Sequence, residues 1–154
     1  MEISDLLTPR SVVPSLRATS KKQALQELAR RAAELTGLHE RTIFDVLLER
    51  ERLGTTGVGR GIAIPHGKLP DLGRLYGVFA VLDQPVDFEA VDDQPVDLLF
   101  LLLAPESAGA DHLKALARIS RLLRDPVLCD RLRSVEKADE LYKLLTAGAA
   151  SHAA

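Results

Sequence analysis

What the 154-residue chain has little of narrows its chemistry first. It holds one cysteine, Cys129, and no tryptophan. A lone thiol can neither close an internal disulfide nor build a cysteine zinc cage, which fits a reducing compartment. Charge of one sign is not in excess: 20 basic residues stand against 22 acidic ones, for a formal net charge of -2. That balance argues against a nucleic-acid partner, whose phosphates call for a strongly basic face. Long apolar runs are missing too. The longest, Leu98 to Pro105, is far shorter than the ~20 residues a membrane-spanning helix needs. The first ten residues, MEISDLLTPR, carry an early acid and no basic segment ahead of an apolar core, unlike a secretory signal. These absences predict a cytoplasmic protein with no direct membrane insertion.

The 46% apolar content suffices, at this length, for a single core without staples. The expected organisation is one domain over residues 1–146 and a flexible C-terminal tail over 147–154, where AGAASHAA lacks apolar periodicity. Ser20 and Gln23 have capping-box spacing ahead of Leu25, Leu28, Ala29, Ala32 and Leu35, and Gly37 marks a helix end. A second helix is expected from Glu40 to Leu53, with Ile43, Val46, Leu47 and Leu53 on its apolar side and Gly54 as its stop. Tyr76 to Leu82 and Asp97 to Ala104 read as strands, the latter apolar enough to be covered on both faces. A helix capped by Asp111 should bury Leu113, Leu116, Ala117, Ser120 and Leu123. Asp125-Pro126 should open a short helix to about Arg133, and a last helix should span about Glu136 to Leu145.

Several motifs invite chemistry. The glycine-rich LGTTGVGRG is no dinucleotide fingerprint, because it follows a helix and leads into a strand, and Lys68 is followed by Leu69 rather than the Ser or Thr of a P-loop. A turning loop is the better reading. The acids Asp83, Asp87, Glu89, Asp92, Asp93 and Asp97, around a twice-occurring DQPVD, lack the spacing of an EF-hand and suit turns at strand ends. No Gly-x-Ser-x-Gly elbow occurs, and no residues at metal-ligand spacing accompany the histidines. Arg118, Arg121, Arg124, Arg131 and Arg133 suit a solvated helix surface. Of four histidines, His39 and His152 suit the surface. In GIAIPHGKLP, Pro65 should end the strand Ile62 to Ile64 and leave His66 in a loop beyond it. His112 falls in a helix first turn, where free N–H groups favour an anion. Were the two to converge, one could carry a phosphoryl group while the other stabilised its charge. By spacing alone, a structural or incidental pair of histidines is the more common arrangement and the favoured reading.

Taken in order, Glu49-Arg50-Glu51, LGTTGVGRGIAIPHGK, QPVDLLFLLLAP and Asp111-His112-Leu113 resemble the enzyme IIA family of the phosphoenolpyruvate-dependent phosphotransferase system. The likeness is to its fructose/mannitol/nitrogen group, the type-2 enzymes, and most of all to the nitrogen-regulatory members. It extends from Ile3 to Leu145. The resemblance implies an α/β fold, a three-layer α/β/α sandwich around a mixed central sheet. It implies that His66 accepts a phosphoryl group from an HPr-like phosphocarrier, that His112 assists, and that Arg50 stabilises phosphate charge, with neither cofactor nor metal. Lys68, Thr55 and Thr56 lie close in sequence and could add hydrogen bonds or charge. Arg60 stands where relatives commonly have Asn or an acidic residue close to the acceptor. Exposed apolar residues beside the acceptor, Leu69 and Leu72, are expected to dock the carrier. The output is either the binding of regulatory target proteins or, as the alternative, phosphate donation by a sugar-specific enzyme IIA to a IIB component for sugar uptake. A binding module with an idle histidine is a third possibility, and the intact IPHGK with Arg50 and His112 argues against it.

Overall fold

The computed structural model describes residues 1–151. A short helix α1 (Ile3–Leu6) and a 3-10 turn (Pro9–Ser11) lead into strand β1 (Val12–Leu16). Helices α2 (Lys21–Thr36) and α3 (Glu40–Arg52) follow, then the short strands β2 (Gly57–Gly59), β3 (Ile62–Ala63) and β4 (His66–Leu69). Two long strands, β5 (Tyr76–Val86) and β6 (Val96–Pro105), precede three helices, α4 (Ala110–Leu122), α5 (Pro126–Ser134) and α6 (Ala138–Ser151).

The sheet runs β1-β5-β6-β3-β2, with β4 also paired to β6. β5 and β6 are antiparallel, whereas β1 lies parallel to β5 and both β3 and β4 lie parallel to β6, so the sheet is mixed as expected. β6 is its centre, and Leu98 through Ala104 are wholly buried. Alternate side chains of a strand face opposite ways, and here the alternation sorts the two cores. Leu99, Leu101 and Leu103 pack with Leu25, Leu28, Ile43 and Leu47 of α2 and α3. Leu98, Phe100 and Leu102 pack with Ile119, Leu122, Leu132, Leu141 and Leu145 of α4, α5 and α6. Each such leucine stabilises the fold by about 2 kcal/mol relative to exposure, and the result is the three-layer α/β/α sandwich.

Local signals set most boundaries. The Ser20 hydroxyl accepts from the Gln23 amide at 3.1 Å, while Gln23 reaches back to the Thr19 amide rather than to Ser20 itself. Gly37 closes α2 at φ 77. Asp125 caps α5 by accepting from the amides of Val127 and Leu128.

Other expectations change. β1, a strand for which no expectation was stated, contains Pro14; the proline is tolerated because β1 is a sheet edge, with an irregular register beside it. α4 is capped by Gly109, not Asp111. It buries His112, Ala115, Ile119 and Leu122, one step out of phase with the expected stripe, and leaves Leu113 67% exposed. Leu53 likewise leaves the apolar side of α3 and is 83% exposed. α6 runs to Ser151, six residues past the expected end at Leu145, so the described part of the segment expected to be flexible is helical. Its Gly148 fits against Leu128 and Leu122, where a Cβ would come within 2.8 Å of Leu128. His152 lies outside the described residues.

Candidate functional site

The register of β3 and β4 on β6 is one register. Ile62 faces Leu98 and Ala63 faces Leu99; His66 then faces Leu102 and Gly67 faces Leu103, at the same offset. Pro65 interrupts the ladder only because it has no N–H to donate, and its carbonyl still accepts from the Leu102 amide at 2.9 Å. His66 therefore opens a strand instead of standing in a loop after one, and its backbone is held on the centre of the sheet.

Its side chain is held as well. Nδ1 lies 2.9 Å from the Ile64 carbonyl oxygen, which can only accept, so these partners assign the ring proton to Nδ1. The lone pair is then on Nε2, where the Arg50 Nε–H donates to it at 3.2 Å. Arg50 comes from the last turn of α3, and its Nη1 donates to the Gly54 carbonyl at 3.0 Å. α3 can bring it so near because Gly67 of β4 has no side chain: a Cβ there would lie 2.5 Å from Cγ1 of Val46.

From the other helical layer, the first turn of α4 brings His112 to a ring-centroid distance of 5.5 Å from His66, tilted by 54°. His112 is buried, and its Nδ1 has no hydrogen-bond partner among the described residues. With Leu53, Gly67 and Lys68, the two histidines and Arg50 line an open concavity of about 400 Å³. Burial lowers the pKa of His66 below its ordinary value; the bond to Ile64 opposes this, the Arg50 charge adds to it and the Glu51 carboxylate resists it. Burial likewise lowers His112, followed by the charges of His66 and Lys68. Both rings are thus biased toward the neutral form, and a neutral imidazole with one nitrogen anchored and the other facing Arg50, in a concavity that Lys68 and Glu49 also line, is a nucleophile suited to an anionic electrophile.

Not every residue singled out by sequence arrives here. The Thr55 hydroxyl donates to the Phe88 carbonyl, and the Thr56 hydroxyl donates to Glu51. Arg60 lies at a turn away from His66. With Gly61 it makes the two-residue turn of the β2–β3 hairpin, φ 59 and φ 80, a turn type that requires positive φ at both positions. Its Nη1 donates to the Arg124 carbonyl at 3.0 Å, and Nη2 of Arg133 donates to its carbonyl. The glycine-rich segment thus turns as read, but its Gly57–Gly59 forms strand β2 where a loop was expected. Leu69 and Leu72 are 1% and 7% exposed, so neither can dock a partner; exposed Leu53 lines the concavity, and exposed Leu113 follows His112 in the chain. Of the clustered acids, Asp87 and Asp92 accept backbone amides at turns and Asp97 pairs with Arg133 at 2.9 Å. Sequence reasoning passed over Glu51, a buried carboxylate whose partner Lys21 lies thirty residues away; only its place directly after Arg50 hinted at a role.

Over most of its length the chain is similar to known proteins. The family model described as "Phosphoenolpyruvate-dependent sugar phosphotransferase system, EIIA 2" matches residues 5–148. The chain is 63% identical over 145 residues to a nitrogen regulatory protein of Bradyrhizobium diazoefficiens, covering 94% of this chain and 95% of that one. It is 42% identical to a nitrogen regulatory protein of Klebsiella oxytoca, over 95% and 91% of the two chains. Among solved structures, the nitrogen regulatory protein IIA-Ntr from Neisseria meningitidis matches with a TM-score of 0.88 at 33% identity, covering 94% of this chain and 99% of that one.

Proposed function

The chain belongs to the EIIA type-2 family of the phosphotransferase system, and on that footing we propose that it is a nitrogen-regulatory phosphocarrier that receives a phosphoryl group on Nε2 of His66 from an HPr-like carrier. The observation that carries this reading is the fixed imidazole: Nδ1–H on the Ile64 carbonyl, Nε2 toward Arg50 and the concavity. The Nε2 lone pair attacks the phosphorus of the carrier's phosphohistidine. The new N–P bond forms as the carrier's N–P bond breaks, and the electron pair leaves with the carrier's imidazole nitrogen. Arg50 exchanges its bond to Nε2 for bonds to phosphoryl oxygens, a role for which a planar guanidinium with five donors is suited. His112 and the α4 first turn add donors, and Lys68 adds positive charge, where the transferred group arrives.

Leu53 and Leu113 supply the apolar contact for the carrier. A relay must release its donor after transfer, so the contact is small and transient. No helix among the described residues is long and apolar enough to cross a membrane, and a cytoplasmic location is part of this reading. So is an output through regulatory target proteins, which bind the phosphorylated and unphosphorylated forms differently.

Incubation with a phosphorylated HPr-type donor should add one acid-labile phosphate by intact mass, and His66→Ala should abolish it; stoichiometric labelling of that variant would refute the acceptor. His112→Ala should still be labelled, more slowly or with a shorter-lived phosphate. Rapid passage of the label to a cognate IIB protein and on to sugar would replace the regulatory reading with a transport one.

A further inference from the structure

Glu51 follows Arg50 at the end of α3 and is only 8% exposed. A buried carboxylate is costly unless its oxygens are fully engaged, and here they are. Oε1 accepts from the Thr56 amide at 3.0 Å and lies 3.0 Å from the Lys21 ammonium, while Oε2 accepts from the Thr56 hydroxyl. The Lys21 ammonium sits 4.9 Å over the Phe88 ring, and the hydroxyl of Thr55 donates to the Phe88 carbonyl at 2.9 Å. The short strap from residue 51 to residue 56 is therefore closed by the carboxylate and tied to the connection between β5 and β6. In the middle of the strap is Gly54, whose amide donates to the Glu51 carbonyl and whose own carbonyl receives Nη1 of Arg50.

We infer that Glu51 is a positioning residue for phosphoryl transfer: by closing the strap on Thr56 it fixes the Gly54 carbonyl, which in turn holds the Arg50 guanidinium toward His66. Replacing a buried ionic group by an apolar one often costs little stability, so a role in geometry is the better account of a carboxylate in this place. Arg50 touches the acceptor from one side of its guanidinium and the strap from the other. Freed from the strap, it would still be present and charged, but its donors would no longer be held at the place where the phosphoryl oxygens arrive, and misplacement of a charged donor is costly in rate.

This inference rests on the relay reading, and its test separates the two. Glu51→Gln and Thr56→Val are each made in the wild-type and in the Arg50→Ala background, with Ile119→Val, in the other layer, as a control for small losses of stability. Thr56→Val keeps the carboxylate, the Lys21 pair and the backbone bond, so it decides the matter if Glu51→Gln fails to fold. Two quantities are measured: the initial rate of labelling from a phosphorylated HPr-type carrier, and, in the unphosphorylated protein, the exchange of the Arg50 Nε–H by NMR. Glu51→Gln should slow labelling about tenfold in the wild-type background and less than about twofold when Arg50 is already Ala, because residues that act through one another are not additive. Thr56→Val should do the same on a smaller scale. Both should speed Arg50 Nε–H exchange, and Ile119→Val should not. An equal fold-loss in both backgrounds, or unchanged exchange of Arg50, would overturn the role of Glu51. Failure of the wild-type protein to take any label would instead overturn the relay, and the exchange measurement would still decide whether Glu51 positions Arg50.

Discussion

The two nitrogens of one imidazole have been given different tasks. A carbonyl holds Nδ1–H of His66, a guanidinium faces Nε2, and burial biases the ring toward its neutral form. Lysine cannot reproduce what Arg50 does, since its ammonium is a point charge and cannot bond Nε2 and the Gly54 carbonyl at once from a rigid fork. Arg50→Lys should therefore lower the rate of phosphoryl acceptance by about ten- to a hundredfold with the fold intact, as measured by rapid-quench labelling and circular dichroism. His66, His112 and Arg50 were legible because they occur in a family's order, and the structure brings all three to one concavity. Proximity in sequence misled elsewhere. Arg60 is six residues from His66, yet the chain between them runs along an edge of β6 from Asp97 to Leu102, and five residues of strand at about 3.3 Å each carry it ~16 Å away. Leu69 and Leu72 looked like surface because they follow the acceptor, and the sheet and α2–α3 layer bury them.

Among the elements, the contact that matters most for the site is that of α3 with β4. Gly67 lets the helix settle on the strand beside the acceptor, and a methyl group there would meet Val46. Gly67→Ala should push α3 outward and carry Arg50 with it. Labelling should slow by about tenfold or more with a loss of about 1–3 kcal/mol in stability from overpacking. Val46→Ala in the same chain should restore much of both, measured by labelling rate and urea denaturation; no relief from the second substitution would contradict this account of the contact. Helices whose ends carry a chemical signal were legible: Ser20, Gly37 and Asp125-Pro126 act as read. β1 was not, since Pro14 hides an edge strand. The phase of α4 was not either. Apolar periodicity assigns every leucine to the core, whereas Leu113 is kept on the surface beside His112 and the buried stripe passes through the histidine itself.

At the scale of the whole molecule, alternate residues of β6 build two cores and the proposed phosphoryl site sits where the layers meet, with Arg50 from one helical layer and His112 from the other. That architecture ties stability to pH. Burial lowers the pKa of both histidines below their ordinary value of 6.5, so in the window beneath that value the unfolded chain binds more protons than the folded one. Stability should then be greatest above pH 6.5 and fall as the pH drops through it toward the lower folded values. Thermal melts from pH 7.5 to 5.5 should show a steeper fall in Tm for the wild-type protein than for His66→Gln/His112→Gln; equal slopes would contradict the burial of neutral rings. The central claim, however, concerns one atom. NMR of the phosphorylated protein with 15N-labelled histidine should show phosphorus coupled to Nε2 of His66, with Nδ1 still carrying its proton to the Ile64 carbonyl. Phosphate on Nδ1 of His66, or on His112, would contradict it.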